Sequence, residues 1–235
     1  MSIPYFYEPT IVAGYTSFTL NETSSKHCVQ VLRMKENDRV DITNGKGFLF
    51  EAIIINAHKK NTLVHLQSEK FIKAPAQKIT VGISLLKNVT RLEWLLEKAT
   101  EMGIYEIKPL ICEHTIFEKF KLERFQNIVQ SAMIQSQQVW LPHLATPVKF
   151  NEALQSSKEA QKLIAHCAPT HKLSIKKIEA ASELVLLIGP EGGLHSDEVQ
   201  HLQAKGFFSI SLGRTILRVE HAGFMALSQI LYDYC

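Results

Sequence analysis

The sequence lacks most of the features that mark secreted, membrane or metal-binding proteins. Its four cysteines, at positions 28, 112, 167 and 235, include no C-x-x-C pair, so their spacing indicates neither a zinc cluster nor a disulfide framework. No apolar run approaches the ~18 residues of a transmembrane helix. The N-terminus has neither the basic start nor the apolar core of a signal peptide. We therefore expect reduced structural thiols, no metal, no membrane association and a cytoplasmic location.

The familiar nucleotide-binding signatures are also missing. There is no G-x-x-x-x-G-K-[ST] of a P-loop and no G-x-G-x-x-G after a first strand, so a phosphate cradle is not favoured. The net charge of +3 permits a polyanionic partner without requiring one. With 46% hydrophobic and 21% charged residues, the 235-residue chain has the composition of an ordinary globular protein. Composition alone does not identify its function.

The sequence pattern changes near residue 72. Before it, short alternating runs at 16–20, 39–43, 47–55 and 62–66 predict a small β-rich unit, with a short helix within 22–34. A polar stretch, residues 68–77, reads as a connector. After it, apolar runs alternate with amphipathic helical patterns, which is typical of a parallel α/β sheet. We therefore predict two domains, residues 1–72 and 73–235.

The second domain contains five predicted strands and four predicted helices. The strands are 78–85, 105–111, 162–166, 184–188 and 207–211, and the helices include one capped by Thr90, one at 121–138, one capped by Ser196 and one at 220–234. In parallel sheets, ligands lie beyond the carboxyl ends of the strands. Three loops begin there, at 166–168, 189–193 and 212–218, so we expect them to converge on one crevice.

Two of these loops carry a resemblance to a known family. The first reads I-G-P-E-G-G from Ile188, with S-D-E following, and the second reads L-G-R-T-I-L-R-V-E-H-A from Leu212. These motifs resemble those of the RsmE family of 16S ribosomal RNA uridine-N3 methyltransferases, within the SPOUT superfamily. Upstream segments are similar too: K-N-V-T-R at 87–91, E-K-A-T-E-M-G at 97–103, and H…V-L-R with N-G-K-G in the first domain. The resemblance thus covers nearly the whole chain.

The resemblance implies a fold and an activity. The fold is an N-terminal PUA-like β-barrel that helps to grip RNA, followed by an α/β domain of the SPOUT type with a deep trefoil knot. The activity is methyl transfer from S-adenosylmethionine to N3 of one uridine in the 16S rRNA of the small ribosomal subunit, by a homodimer. The alternatives are a SPOUT enzyme that acts on another RNA such as tRNA, a non-catalytic RNA-binding protein and a small-molecule binder.

The resemblance also implies which residues form the site, from their positions in the family's motifs. The resemblance assigns S-adenosylmethionine binding to the two motif loops and to the end of the strand before them: Ala165, His166, Gly189, Glu191, Gly192, Leu212, Gly213, Ile216, Leu217 and Arg218. It assigns RNA binding to five basic residues: Lys26, Arg33, Lys35, Lys87 and Arg91. Scattered charges also form solvated faces, so for the basic residues of the first domain both interpretations stay open.

The chemistry requires the uracil N3 to lose its proton as it attacks the methyl group. Arg218 can hold the developing negative charge, while Glu220 can accept the proton, anchor Arg218 or form only a structural salt bridge. Many family members read R-T-E-T-A here, whereas this chain has R-V-E-H-A. His221 is therefore a second candidate base, or a replacement for a hydrogen bond at the helix start. Gln138, Ser131 and His114 also depart from the family pattern.

Overall fold

The computed structural model describes residues 3–116, 119–153, 161–167, 172–175 and 181–232. The chain forms two compact units, one of Met1–Ala74 with Gln130–Leu141 and one of Pro75–Val129 with Pro142–Cys235. The predicted domain boundary between residues 72 and 73 stays a prediction.

The first unit is built on a five-stranded sheet. Its elements are β1 (Tyr5–Tyr7), β2 (Ser17–Thr19), α1 (Glu22–Lys26) with a π-helical turn (His27–Val31), β3 (Arg39–Thr43), β4 (Phe48–Asn56) and β5 (Leu63–Phe71). The strand order is β1-β3-β4-β5-β2, with β1 parallel to β3 and the other pairs antiparallel. The β-rich prediction and the short helix are confirmed.

The predicted connector at 68–77 is wrong at its start. Strand β5 continues through Ser68 to Phe71, where it still pairs with β4 in the register Phe48↔Phe71. The side chains of Ser68, Glu69 and Lys70 are exposed. Backbone pairing with a neighbouring strand is independent of side-chain polarity, so a polar sequence continues the strand there.

The second unit contains the predicted parallel α/β sheet. Its elements are β6 (Lys78–Ser84), α2 (Val89–Glu101), β7 (Glu106–Ile111), α3 (Leu122–Gln135), β8 (His143–Leu144), β9 (Val148–Lys149), α4 (Phe150–Ala153), β10 (Gln161–Ala165), β11 (Leu173–Ser174), β12 (Glu183–Ile188), α5 (Ser196–Ala204), β13 (Phe208–Ser211) and α6 (Val219–Tyr232). Helix α3 contributes residues to both units. The five predicted strands are confirmed within one or two residues; β8, β9 and β11 are too short for a pattern to reveal.

All pairings in this sheet are parallel, in the order β11-β13-β10-β12-β6-β7-β8, with β9 also paired to β7. The central strands are buried: Val81 and Ile83 on β6, Leu163 and Ile164 on β10 and Leu186 on β12 are each at most 1% exposed. Strands covered on both faces read as continuous apolar runs, which is why they were recognisable.

Two predicted helix caps are wrong by one or two residues. Asn88, not Thr90, caps α2, because its side chain accepts a hydrogen bond from Thr90 N at 3.0 Å. His195, not Ser196, caps α5: its Nδ1 accepts from Asp197 N at 3.3 Å, and Glu198 accepts from His195 N at 2.8 Å. Histidine is not among the preferred caps, so composition rules do not select it.

Gly47 of the first unit occupies a position where a larger residue should lower the free energy of unfolding. Its φ is +94°, and a Cβ added there would overlap Trp140 and lie 2.8 Å from Phe71 Cε2. We expect Gly47→Ala to lower the free energy of unfolding by about 2–5 kcal/mol, from left-handed strain plus overpacking. Gly14 is the matched control, because its φ is +85° but nothing lies within 4 Å of an added Cβ.

Gly14→Ala should therefore cost only the strain, about 1–2 kcal/mol. Urea unfolding monitored by tryptophan fluorescence measures both variants. Equal losses would contradict the packing of Trp140 against Gly47.

Candidate functional site

Three neighbouring strands of the second unit end at the same level. Ala165 at the end of β10 pairs with Ile188 at the end of β12 and with Ile210 near the end of β13. Because the three strands are parallel, the loops that follow them leave the same edge of the sheet. The expected convergence of loops 166–168, 189–193 and 212–218 is confirmed for their described residues.

A cavity of about 540 Å³ lies between these loops. Its walls combine apolar side chains with the backbone of the glycine-containing segments, and they are formed by Ala165, His166, Cys167, Lys172, Ile188, Gly189, Pro190, Glu191, Gly192, Gly193, Leu194, Ile210, Ser211, Leu212, Gly213, Arg214, Thr215, Ile216, Leu217, Val219 and Ala222. Every predicted cofactor residue except Arg218 is in this set. Cavities of roughly 300–1,000 Å³ are typical of small-molecule sites.

The loop after β12 is a tight turn closed on itself. Gly193 N donates to Pro190 O at 2.9 Å, and the φ of Gly193 is +76°. At Gly189, an added Cβ would lie 2.7 Å from Leu194 Cγ, so only glycine fits beneath that side chain. We call residues 189–194 the glycine loop. All six of its residues line the cavity, and the three glycines can present only backbone there.

Glu191 also connects the glycine loop to another part of the unit. Its Oε1 accepts a hydrogen bond from Lys87 N at 3.2 Å. Lys87 lies just after β6 and is exposed. Two residues that the sequence assigns to different roles, one to the cofactor and one to RNA, are therefore neighbours at this edge of the sheet.

His166 has a partner within the wall of the cavity. Its Nε2 lies 2.8 Å from Ser209 Oγ, and Gln203 Nε2 donates to the same oxygen at 3.3 Å. Burial, with a smaller contribution from the positive charge of Lys172, lowers the pKa of His166 below its usual value of 6.5. The imidazole is therefore predominantly neutral at pH 7.

The residues predicted to act in catalysis lie at the start of α6, beside the cavity. Arg218 is exposed, and its carbonyl oxygen accepts from Ala222 N at 2.8 Å in the first turn of the helix. Glu220 is only 5% exposed. Its Oε1 lies 3.7 Å from Arg91 Nε and 3.6 Å from His221 Nδ1. Glu220 thus contacts a predicted RNA-binding residue and the alternative base.

His221 belongs to a small aromatic group. Its side chain is 56% exposed, and its ring centroid lies 5.6 Å from that of Trp94, which is in turn 5.5 Å from Phe224. Trp94 packs at a tilt against the imidazole, and Glu220 approaches Nδ1. More than half of the His221 side chain is nevertheless exposed.

The other predicted RNA-binding residues lie in the first unit. Lys26 is at the end of α1, and Arg33 and Lys35 follow the π-helical turn; all three are exposed. Val31 and Leu32 in the same segment are 62% and 41% exposed. This surface therefore combines positive charge with exposed apolar side chains.

The cysteines divide into two kinds. Cys28 and Cys112 are buried free thiols, and burial raises their pKa values to about 11 and about 12. Both fit the expectation of structural thiols. Cys167 instead is exposed and lines the cavity. Cys235 lies outside the described residues.

Among the residues that the structure describes, no group of three or more His, Cys, Asp and Glu side chains is arranged to hold a metal ion. The helices of that part of the chain include none with the length and apolar character needed to cross a membrane.

The chain resembles known proteins over nearly its full length. Residues 73–231 match the family described as RNA methyltransferase domain, and residues 20–67 match the one described as RNA methyltransferase PUA domain. The ribosomal RNA small subunit methyltransferase E of Synechocystis sp. is 32% identical over 90% of this chain and 72% of its own length. The protein of the same name from Rickettsia conorii is also 32% identical, over 89% of this chain and 88% of its own.

This chain belongs to the RsmE family of RNA methyltransferases. Among solved structures, the family member from Neisseria gonorrhoeae bound to S-adenosyl methionine has a TM-score of 0.90 and 28% identity, covering 99% of this chain and 98% of that one. The prediction of a SPOUT-type α/β domain with a PUA-like N-terminal domain is confirmed. The trefoil knot stays a prediction.

Some cavity residues were missed by sequence reasoning. Val219 and Ala222 occupy successive turns of α6 at i and i+3, a spacing that places both on one helix face once the helix start is known. Leu194 ends the glycine loop, and its side chain packs against Gly189. Lys172 carries no motif, and no sequence signal would have found it.

The pKa of His166 should depend on the charge of Lys172. Lys172→Gln removes a positive charge that disfavours the imidazolium, so the pKa of His166 should rise toward 6.5 while burial still holds it below that value. Titration of the ring by ¹⁵N-resolved NMR measures the change. Lys162→Gln is the control, since Lys162 is on β10 but its Nζ donates to Lys205 O at 3.4 Å. Equal pKa values in both variants would contradict this account.

Proposed function

We propose that this protein transfers a methyl group from S-adenosylmethionine to N3 of a uridine in the 16S rRNA of the small ribosomal subunit. The observation that carries the proposal is the cavity at the ends of β10, β12 and β13, whose walls are the two motif loops of an RsmE-family chain. We expect the protein to act in the cytoplasm, where small ribosomal subunits are found.

The residues present fit S-adenosylmethionine. The cavity of about 540 Å³ offers apolar side chains, including Ile188, Ile210 and Leu217, for an adenine ring. Backbone polar groups of Gly189, Gly192 and Gly213 line it without intervening side chains. When bound, S-adenosylmethionine supplies an electrophilic methyl group on its sulfonium sulfur. The remaining predicted binders, Ala165, His166, Glu191, Leu212 and Ile216, complete the same walls.

Arg218 is proposed to stabilise charge on the substrate. It stands at the end of the second motif loop, immediately before α6, and its side chain is exposed to an incoming RNA. As N3 of uracil loses its proton, negative charge spreads onto the two flanking carbonyl oxygens. A guanidinium group placed there would favour the transition state over the neutral base.

The geometry favours His221 over Glu220 as the proton acceptor. Glu220 is 5% exposed and lies between Arg91 and His221, so its carboxylate has little access to RNA. His221 presents its ring to solvent, with Nδ1 toward Glu220. The N3 proton would pass to Nε2 of the neutral imidazole, and the Glu220 carboxylate would stabilise the resulting imidazolium.

The RNA is proposed to contact both units. Lys26, Arg33 and Lys35 form an exposed basic segment in the first unit, and Lys87 lies exposed at the cavity edge of the second. Arg91 is more than half shielded, with its side chain 35% exposed beside Glu220. We therefore assign it to holding Glu220 as well as to RNA.

A homodimer is proposed to form through α6. Leu227 and Ile230 are 0% and 1% exposed, so they belong to the core of the unit and are not available to a partner. Phe224 and Met225 are 36% and 39% exposed on the same helix, beside Trp94. Sedimentation equilibrium at micromolar concentration tests this assembly, and a monomeric mass would contradict it.

Arg218→Ala is expected to reduce kcat for methyl transfer by about 10²–10³-fold, the usual loss when one charge-stabilising donor is removed. His221→Gln should also lower kcat and change the pH dependence of the rate, because the glutamine side chain has no basic nitrogen to accept the proton. Methyl-labelled S-adenosylmethionine and small ribosomal subunits from a strain lacking the activity provide the assay.

Lys121→Ala is the control for Arg218, because it removes an exposed positive charge from the same unit. It should leave kcat unchanged. Near-normal methylation by Arg218→Ala would remove Arg218 from the mechanism. A wild-type pH profile in His221→Gln would exclude the histidine as the base.

Neutralising Lys26, Arg33 and Lys35 together by glutamine should weaken RNA binding and reduce its salt dependence. Each lost phosphate contact lowers the slope of log K against log salt by about 0.7–0.9, so three contacts give a change of about 2. A variant with Lys59, Lys60 and Lys70 replaced removes the same charge from exposed positions of the same unit. Identical slopes for the two variants would exclude a specific role of the 26–35 segment.

A further inference from the structure

The glycine loop is held from outside the cavity by Glu198. This residue is in the first turn of α5, and its Oε2 accepts from His195 N at 2.8 Å, directly after the glycine loop. Its other oxygen, Oε1, accepts from Glu113 N at 3.0 Å. Glu113 belongs to the loop after β7, residues 112–116. One carboxylate therefore connects the loop at 112–116 with His195, the residue that directly follows the glycine loop.

His114 makes a second connection between the same two loops. Its Nδ1 lies 3.0 Å from Gly193 O, and because a carbonyl oxygen only accepts, Nδ1 must carry the hydrogen. A Cβ added to Gly192 would lie 3.1 Å from His114 Cβ, so the glycine loop rests closely on this residue. The ring of His114 also meets that of His195 edge-on, at 5.9 Å.

The loop at 112–116 is itself firmly attached to the sheet. Thr115 Oγ1 accepts from Cys112 N at 2.9 Å, and Thr115 N donates to Cys112 O at 3.0 Å. Ser84 Oγ, in the last residue of β6, lies 2.9 Å from Thr115 Oγ1. The connection thus runs from the end of β6 through Thr115 to His114 and Glu113, and from them to the glycine loop.

Glycine-rich segments need such external support. Glycine has more backbone freedom than any other residue type, so ordering Gly192 and Gly193 on ligand binding costs free energy. A loop already held in its bound form binds more tightly because that cost is not incurred at binding. Neither Glu198 nor His114 lines the cavity, so neither is placed to touch a ligand there.

We propose that Glu198 and His114 are positioning residues that hold the glycine loop in the form that receives S-adenosylmethionine. The inference rests on the proposed function for the identity of the ligand, but the contacts themselves do not depend on it. Glu198 acts on the loop at 112–116 and on His195 at the end of the glycine loop, and His114 acts on the glycine loop through Gly193.

The test uses Glu198→Ala and His114→Ala in the full-length protein. Each should raise the dissociation constant for S-adenosylmethionine by about tenfold in calorimetry, the effect of losing about one hydrogen bond that orders the loop. The KM for S-adenosylmethionine should rise in parallel, while kcat at saturating concentration stays within about twofold. In the free protein, amide hydrogen exchange should accelerate in both 112–116 and 189–194.

Asp197→Ala is the matched control. Asp197 is also acidic and in the first turn of α5, but its side chain is 83% exposed, and its carboxylate contacts Ser196 and His195. This variant should leave the affinity and the exchange of both loops near wild type. His114→Ala leaves the cap of α5 intact, so it separates loop positioning from helix capping.

Two results would overturn the inference: unchanged affinity for S-adenosylmethionine in both variants, or exchange that accelerates only within α5 of Glu198→Ala. If the wild-type protein does not bind S-adenosylmethionine, the proposed function fails instead. Hydrogen exchange in the free protein then still decides whether Glu198 and His114 hold the loop.

Discussion

The site depends on the register of β10, β12 and β13, which brings the ends of the three strands to the same level in the sheet. Ala165 pairs with both Ile188 and Ile210, so three loops from distant parts of the chain leave one edge of the sheet together. A shift of one residue in either pairing would turn the side chains of a strand to the opposite face and displace its loop. The buried aliphatic side chains of these strands oppose such a shift, and in this way the core determines the shape of the cavity.

The residues at this edge of the sheet form two chemically different regions, the cavity and the start of α6. Apolar side chains and glycine backbone line the cavity together with Lys172, Glu191 and Arg214, which suits a ligand that carries both a ring and charged groups. At the start of α6, Glu220 lies between Arg91 of α2 and His221, whose ring contacts Trp94, and Arg218 is exposed. In the proposed function, the residues that bind the methyl donor are therefore adjacent to those that handle the proton of the acceptor, but distinct from them.

Sequence patterns predicted the strands and the convergence of the loops because buried parallel strands read as apolar runs whose carboxyl ends share one edge of the sheet. They also placed most of the cavity residues, since both motif loops are contiguous in sequence. Contacts between distant segments were not predictable in this way. The pairing of Glu220 with Arg91, the His195 cap and the bridge from Glu198 to Glu113 each depend on how helices and loops pack.

The central claim is that this protein methylates N3 of a uridine in small-subunit rRNA. The most direct measurement incubates the purified protein and S-adenosylmethionine with small ribosomal subunits, and separately with naked 16S rRNA, from a strain that lacks the modification. Nucleosides from the digested RNA are then identified by mass spectrometry against N3-methyluridine and its isomers. The account predicts N3-methyluridine at a single site in at least one of these substrates. Its absence from both, or methylation of another atom, would contradict the account.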